Sequence, residues 1–220
     1  MGRNYSLLDN LISEIDCALK TSIFSSAPKA NRDNPSSDIK LKDLKNIPEL
    51  SEAEKKHSAR LMRINRTGEV CAQALYRGQA SVAKSIEVKE HLIEAALEEE
   101  DHLVWCSDRI RELDDRGSYL DFVWYANSYL IGKFAAKISD ELSLGFVVET
   151  EKQVMEHLDS HLESISKNDL KSRKIIEVMR EEEAHHAEDA KSRGAKELPK
   201  IAKAIMKLQS KIMTSMVYYI

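Results

Sequence analysis

Two short acidic stretches carry side chains that could hold a cation. Residues 181–188, "EEEAHHAE", pair Glu182 with His185 and Glu183 with His186, and residues 98–102, "EEEDH", pair Glu99 with His102. Residues three apart on an α-helix project from one face, so a carboxylate and an imidazole at that spacing can reach the same ion. Imidazole nitrogen suits iron and similar transition metals, and carboxylate oxygen supplies compensating charge. The bland reading is a solvated helix surface, common in a chain with 37 acidic residues and 7 histidines.

Which way each residue faces decides between these readings. A bundle helix turns its apolar row inward, so a carboxylate within that row needs a partner or a metal. In the helix from Ser85, one row collects Leu92, Ala95, Glu99, His102 and Cys106, and reads as buried. Its neighbour collects His91, Glu94, Glu98, Asp101 and Trp105, and reads as polar. In the last acidic stretch Ile176, Met179, Glu183, His186, Ala187 and Ala190 form the inward row, which favours Glu183 with His186 over the alternative register of Glu182 with His185. Two other helices each offer one inward carboxylate. Glu69 shares a row with Met62, Asn65, Ala72 and Tyr76, and Glu151 shares one with Val147, Val148, Val154, Met155 and Leu158.

The order Glu69, Glu99-x-x-His102, Glu151, Glu183-x-x-His186 places a lone Glu before a pair twice, as in an internally duplicated chain. It is the ligand inventory of ferritin-like dinuclear carboxylate bundles. Four carboxylates offset the charge of two divalent ions, and two histidines leave coordination positions open. Glu54 with His57 has the same spacing but a different use, because Ser51 and Glu54 form a capping-box signature at a helix start.

The elements that must position these residues are helices. With 7 Gly and 4 Pro in 220 residues, and long windows of 3.6-residue periodicity, the chain reads as all-α. Helices are expected from about Tyr5 to Lys20, Ser51 to Gln79, Ser85 to Leu113, Tyr119 to Ile138, Asp140 to Ile165, Leu170 to Ser192 and Leu198 to Tyr218. Four are long enough, at about 1.5 Å per residue, to build a ferritin-like four-helix bundle roughly 30 Å long. The N-terminal, crossover and C-terminal helices would decorate it. Residues 1–50 read as an N-terminal helix and a linker rich in Pro, Ser, Asn and Asp, and residues 51–220 as the bundle with its accessory helices.

Composition narrows the partners. A net charge of −4 leaves no basic footprint for nucleic acid. Cys17, Cys71 and Cys106 are odd in number and far apart, which suits free thiols on the cytoplasmic side. The N-terminus lacks the pattern of a signal peptide, and no stretch reaches the roughly 18 apolar residues of a membrane span. Two segments could still lie on a membrane surface: the uncharged, aromatic "FVWYANSYLIG" at 122–132, and the last helix with lysines along its polar side. His91, His157, His161 and His185 read as surface residues, with a role in orienting ligands as the alternative for His157 and His161.

The segments "RINRTGEVCAQALYRGQA", "EEEDHLVWC", "GFVVETEKQVMEHLDSHL" and "MREEEAHHAEDA" resemble the four ligand-bearing segments of the demethoxyubiquinone hydroxylase family of ubiquinone biosynthesis, in its bacterial form. The resemblance covers nearly the whole chain and implies the metal ligands Glu69, Glu99, His102, Glu151, Glu183 and His186, the same six that the helix rows select. It further implies a di-iron monooxygenase with two Fe ions per chain, which uses O2 to hydroxylate the benzoquinone ring of 2-polyprenyl-3-methyl-6-methoxy-1,4-benzoquinone. An external electron donor would be needed, with NADH a candidate, and no GxGxxG motif follows a strand here. The implied partners are the polyprenyl benzoquinone, O2 and the membrane surface, with further copies of the chain or ubiquinone-pathway proteins left open. The implied location is the cytoplasmic face of the cell membrane, held peripherally. Two other readings compete: a ferritin-like or rubrerythrin-like iron or peroxide oxidase, active without a lipid quinone, and a non-enzymatic helical adaptor with all its acidic rows exposed.

Overall fold

A computed structural model describes residues 7–23, 30–39 and 47–220. Among the described residues lie the α-helices α1 (Leu7–Ser22), α2 (Glu52–Ala80), α3 (Ile86–Glu112), α4 (Asp121–Ile138), α5 (Asp140–Ser164), α6 (Leu170–Ser192) and α7 (Lys200–Val217), with one 3-10 turn at Pro35–Asp38. The expected elements all appear. The expected helix start at Tyr5 and two parts of the linker, 24–29 and 40–46, lie outside the described residues.

Local chemistry sets the helix ends. The Ser51 hydroxyl accepts from the Glu54 amide at 3.3 Å while the Glu54 carboxylate accepts from the Ser51 amide at 2.9 Å, closing the capping box. Ser85, Ser139 and Asp169 cap α3, α5 and α6 through their side-chain oxygens. Gly194, at φ 93°, turns the chain out of α6, and Pro199 precedes α7. Glu54 and His57 are each committed elsewhere, as the capping signature requires. Glu54 also accepts from Ser166 at 2.7 Å, and the His57 ring meets the Tyr218 hydroxyl at 2.9 Å.

Short connections fold α2 against α3 and α5 against α6 as two antiparallel hairpins, and α4 crosses between them, packed along α2. The bundle core is divided lengthwise. One apolar cluster joins Met62, Trp105, Ile110, Leu158, Ile176 and Met179. A second joins Tyr76, Leu92, Ala95, Leu144, Val147 and Ala190. Glu69, Glu99, Glu151 and Glu183 fall between the two clusters along each helix, so apolar layers close the acidic layer from both ends.

Charged residues also hold the accessory parts. Arg66 is buried and reaches the Asp121 carboxylate at the start of α4, the Ser107 hydroxyl of α3 at 2.9 Å and the Thr21 carbonyl of α1 at 3.0 Å. Thr67 donates to the other Asp121 oxygen at 2.6 Å. A buried ion pair of this kind contributes little net stability, but breaking it leaves an uncompensated charge. It therefore fixes where α1 and α4 dock.

The α2–α4 crossing is a backbone contact. A Cβ at Gly78 would collide with the Tyr129 carbonyl, and one at Gly132 with the Leu75 carbonyl. Gly132→Val is expected to destabilise the fold by about 1–3 kcal/mol or more, because neither neighbour is a flexible side chain that can yield. Chemical denaturation measures it, and an unchanged midpoint would contradict the contact. A second expectation concerns pH. Hydrogen bonds from Ser51 and Ser166 hold the Glu54 pKa at about 2, below its ordinary 4.5. A depressed carboxylate stabilises above its unfolded pKa, so the stability gap between the native chain and Glu54→Gln should be full above about pH 4.5 and close as the pH falls toward 2.

Candidate metal centre

Each bundle helix delivers its inward residues to one layer. Glu69 comes from α2, Glu99 and His102 from α3, Glu151 from α5, and Glu183 and His186 from α6. All four carboxylates and His102 are buried, and the His186 side chain is 12% exposed. They form two overlapping groups. Glu69, Glu99, His102 and Glu183 place one potential ligand atom each within 4.8 Å of one another, and so do Glu99, Glu151, Glu183 and His186. Glu99 and Glu183 belong to both groups, so the geometry is that of two adjacent positions spanned by two shared carboxylates.

Both imidazoles turn Nδ1 inward. His102 Nδ1 lies 3.0 Å from Glu99 Oε2, 3.1 Å from Glu183 Oε1 and 3.8 Å from Glu69 Oε2. His186 Nδ1 lies 3.0 Å from Glu183 Oε2 and 3.2 Å from Glu99 Oε1. The outer nitrogens are braced across the bundle. His102 Nε2 meets Glu182 at 2.7 Å, and His186 Nε2 meets Glu98 at 2.7 Å. With Nε2 carrying the proton, each ring presents an Nδ1 lone pair to the centre, the arrangement in which an outer carboxylate fixes a ligand histidine.

The buried charges do not balance as simple ion pairs. Burial, helped by the charge of Glu99, pushes Glu69 well above the ordinary carboxylate range, and burial with the charge of Glu183 does the same for Glu151. Glu99 goes the other way: burial opposes its charge, but hydrogen bonds from both imidazoles outweigh that and hold it low. Burial also disfavours charged His186, yet the Glu183 and Glu99 carboxylates push its pKa up to about 12. Proton binding is thus favoured in the metal-free layer, and cations would compete with it. The residues fit such cations. Both oxygens of Glu151 are buried and make no hydrogen bond among the described residues, and Glu99 Oε1 and Glu183 Oε1 meet only an imidazole Nδ1, at 3.2 and 3.1 Å, that lies closer to another carboxylate oxygen. Orphaned acceptors in that number are costly unless something positive sits between them.

Several expectations need correction. Glu182, expected at the surface, lies behind His102, and Asp101 and Trp105 from the row expected to be polar are buried. His91, also expected at the surface, is buried against Asp189 at 3.1 Å. His161 is buried, and His157 is partly buried with its ring 4.1 Å from that of His161. The reason is packing that one helix's periodicity does not register: residues 30–39 cover part of α3, and α7 lies along α5 through Lys203–Glu149 and Lys207–Glu156 contacts at 3.7 Å. His185 is exposed as expected. The outer braces did leave a signal, since each is the Glu directly before a central Glu, Glu98 before Glu99 and Glu182 before Glu183.

An apolar cavity of about 140 Å3 adjoins the acidic layer at Glu69. Ile64 and Ala72 line it from α2, Ile131 from α4, Val154 and His157 from α5 and Met213 from α7.

An all-α bundle with a buried layer of four carboxylates and two histidines defines a class, the dinuclear-type carboxylate bundles. Residues 56–217 match the family model described as "Ubiquinone biosynthesis protein COQ7", and the chain belongs to that family. Its relatives include proteins named 3-demethoxyubiquinol 3-hydroxylase from Francisella tularensis subsp. novicida, 55% identical over 98% of this chain and 99% of the relative. Another of that name, from subsp. holarctica, is 54% identical over the same shares.

Glu151→Leu removes a carboxyl group whose two oxygens are orphaned in the metal-free layer. The metal-free variant is expected to be more stable than the native chain by about 1–3 kcal/mol, and to lose most of the stabilisation that added metal gives. Thermal melts with and without metal check both signs together.

Proposed function

We propose that this chain is a di-iron monooxygenase that hydroxylates the ring of 2-polyprenyl-3-methyl-6-methoxy-1,4-benzoquinone, or its quinol, in ubiquinone biosynthesis. The observation that carries the metal reading is the pair of overlapping Glu/His groups sharing Glu99 and Glu183. In this reading Glu69 and His102 would hold one iron, Glu151 and His186 the other, and Glu99 and Glu183, which belong to both groups, would contribute to both. When bound, the two irons supply the site at which O2 is reduced with electrons from an external donor, one oxygen atom going to the ring and the other to water.

The chain's own residues do the rest. Glu98 and Glu182 hold the imidazole planes so that both Nδ1 atoms face inward. The two apolar clusters keep water from the layer at each end. The cavity beside Glu69 receives an aromatic ring through apolar walls, which favours an organic substrate over simple iron oxidation. A helical adaptor would leave its acidic rows exposed, whereas the central carboxylates are buried.

The polyprenyl tail needs an apolar medium. No helix among the described residues is long and apolar enough to cross a membrane. Yet α7 exposes Ile201, Ile205, Leu208, Ile212 and Met216 along one outer stripe while Met206 and Met213 line the cavity on its other side. On α4, Phe122, Val123, Leu130 and Phe134 are also exposed. This supports a peripheral seat on a membrane surface, with α7 between the lipid and the cavity, and we place that seat on the cytoplasmic face of the cell membrane.

The test is purified protein, loaded anaerobically with Fe(II) and supplied with the quinone in lipid vesicles, a reductant and O2. The expected outcome is about two irons per chain and ring-hydroxylated product, with 18O2 labelling the new oxygen. Glu183→Ala should abolish product while keeping the helical fold. Product formed at the native rate by that variant would overturn the ligand assignment.

A further inference from the structure

Residues 30–39 hold no member of the central six and lie outside the residues that the family model matches, yet they touch the edge of the metal centre. Arg32 donates Nη1 and Nη2 to the two Glu182 oxygens at 2.7 and 2.9 Å, and Nε to Asp101 at 2.6 Å. Its own placement is secured. The Asn31 amide donates to Asp101 at 2.6 Å, Trp105 Nε1 donates to the Arg32 carbonyl at 3.5 Å, and the guanidinium lies 4.9 Å over the Trp105 ring. Asp101 and Trp105 are themselves buried on α3. The guanidinium fork therefore fixes the plane of Glu182, and Glu182 fixes the His102 ring.

The other half of the centre has no such brace. Glu98 meets His186 at the same 2.7 Å, but its side chain is 58% exposed against 27% for Glu182, and although Arg32 lines the same surface cleft, no guanidinium forms an ion pair with Glu98 among the described residues. Two halves that match at the ligands differ one contact further out.

We propose that Arg32 is a positioning residue for the metal at the His102 position, acting through Glu182, and that it makes the two metal positions unequal. The His102 position is the tighter and the His186 position the more labile. This rests on the dinuclear reading given above and adds to it a named cause for inequality. Loss of an outer partner of a metal ligand typically costs about 10- to 100-fold in affinity.

The experiment is anaerobic equilibrium titration of the metal-free full chain with Fe(II), following metal bound per chain, with a thermal melt of each metal-free protein alongside. The native chain should fill in two unequal steps. Arg32→Ala should weaken the tighter step by about 10-fold and leave the weaker one alone, whereas Glu98→Ala should affect only the weaker step. Arg32→Lys should recover part of the loss, since an ammonium cannot span both Glu182 oxygens and Asp101. Arg32→Ala combined with Glu182→Ala should lose no more than Glu182→Ala alone, because both act through one contact. Two equal steps in the native chain, additive losses, or a lowered metal-free melting temperature with both affinities unchanged would each overturn the proposal. Absence of any metal binding by the native chain would instead overturn the dinuclear reading, and this inference with it.

Discussion

Four carboxylates gathered around two imidazoles inside a helical bundle repel one another and lie out of reach of bulk water. Protons can relieve that repulsion, and burial with neighbouring carboxylate charge raises the pKa of Glu69 and Glu151 in that direction, while two divalent cations could relieve it and also meet the orphaned oxygens. The surrounding structure serves this layer. Apolar clusters seal it at both ends, the outer carboxylates Glu98 and Glu182 aim the rings, and the buried Arg66–Asp121 pair anchors the accessory helices that cover it. A buried layer of this kind is locally costly unless something positive sits within it.

Much of this could be read from residue order. Rows such as Leu92, Ala95, Glu99, His102 and Cys106 are buried from end to end, and Met62, Asn65, Glu69, Ala72 and Tyr76 likewise, because a bundle helix has one face that must leave water. The capping box at Ser51 and the helix ends expected near Leu113 and Ser192 were equally plain, since their causes are local. What escaped were residues whose environment another segment decides. Glu182, Asp101 and His91 look polar on their own helices and become enclosed through Arg32, through residues 30–39 and through Asp189. Periodicity carries no information about a strap of irregular chain or about which flank an accessory helix will cover.

The family, the cavity and the outer face of α7 belong to one arrangement. A ring delivered from lipid must pass from an apolar medium to a carboxylate layer without exposing that layer to water. α7 has an apolar stripe outward and Met206 and Met213 inward, and Lys203 and Lys207 meet α5 carboxylates, so on the proposed reading a single helix would face both media. The same reading would account for the exposed apolar side of 122–132, while on its inner side Tyr125 and Gly132 pack against the bundle.

The crossed bracing of the histidines bears on how the protein matures. His102 is steadied by a residue 80 positions later, and His186 by one 88 positions earlier. Each potential metal position likewise draws on both hairpins. The α2–α3 hairpin emerging first from the ribosome therefore holds an incomplete set of donors, with its imidazole unsteadied and its second shared carboxylate missing. On the proposed metal reading, neither position is complete until the α5–α6 hairpin docks, and that docking also closes the apolar layers around it.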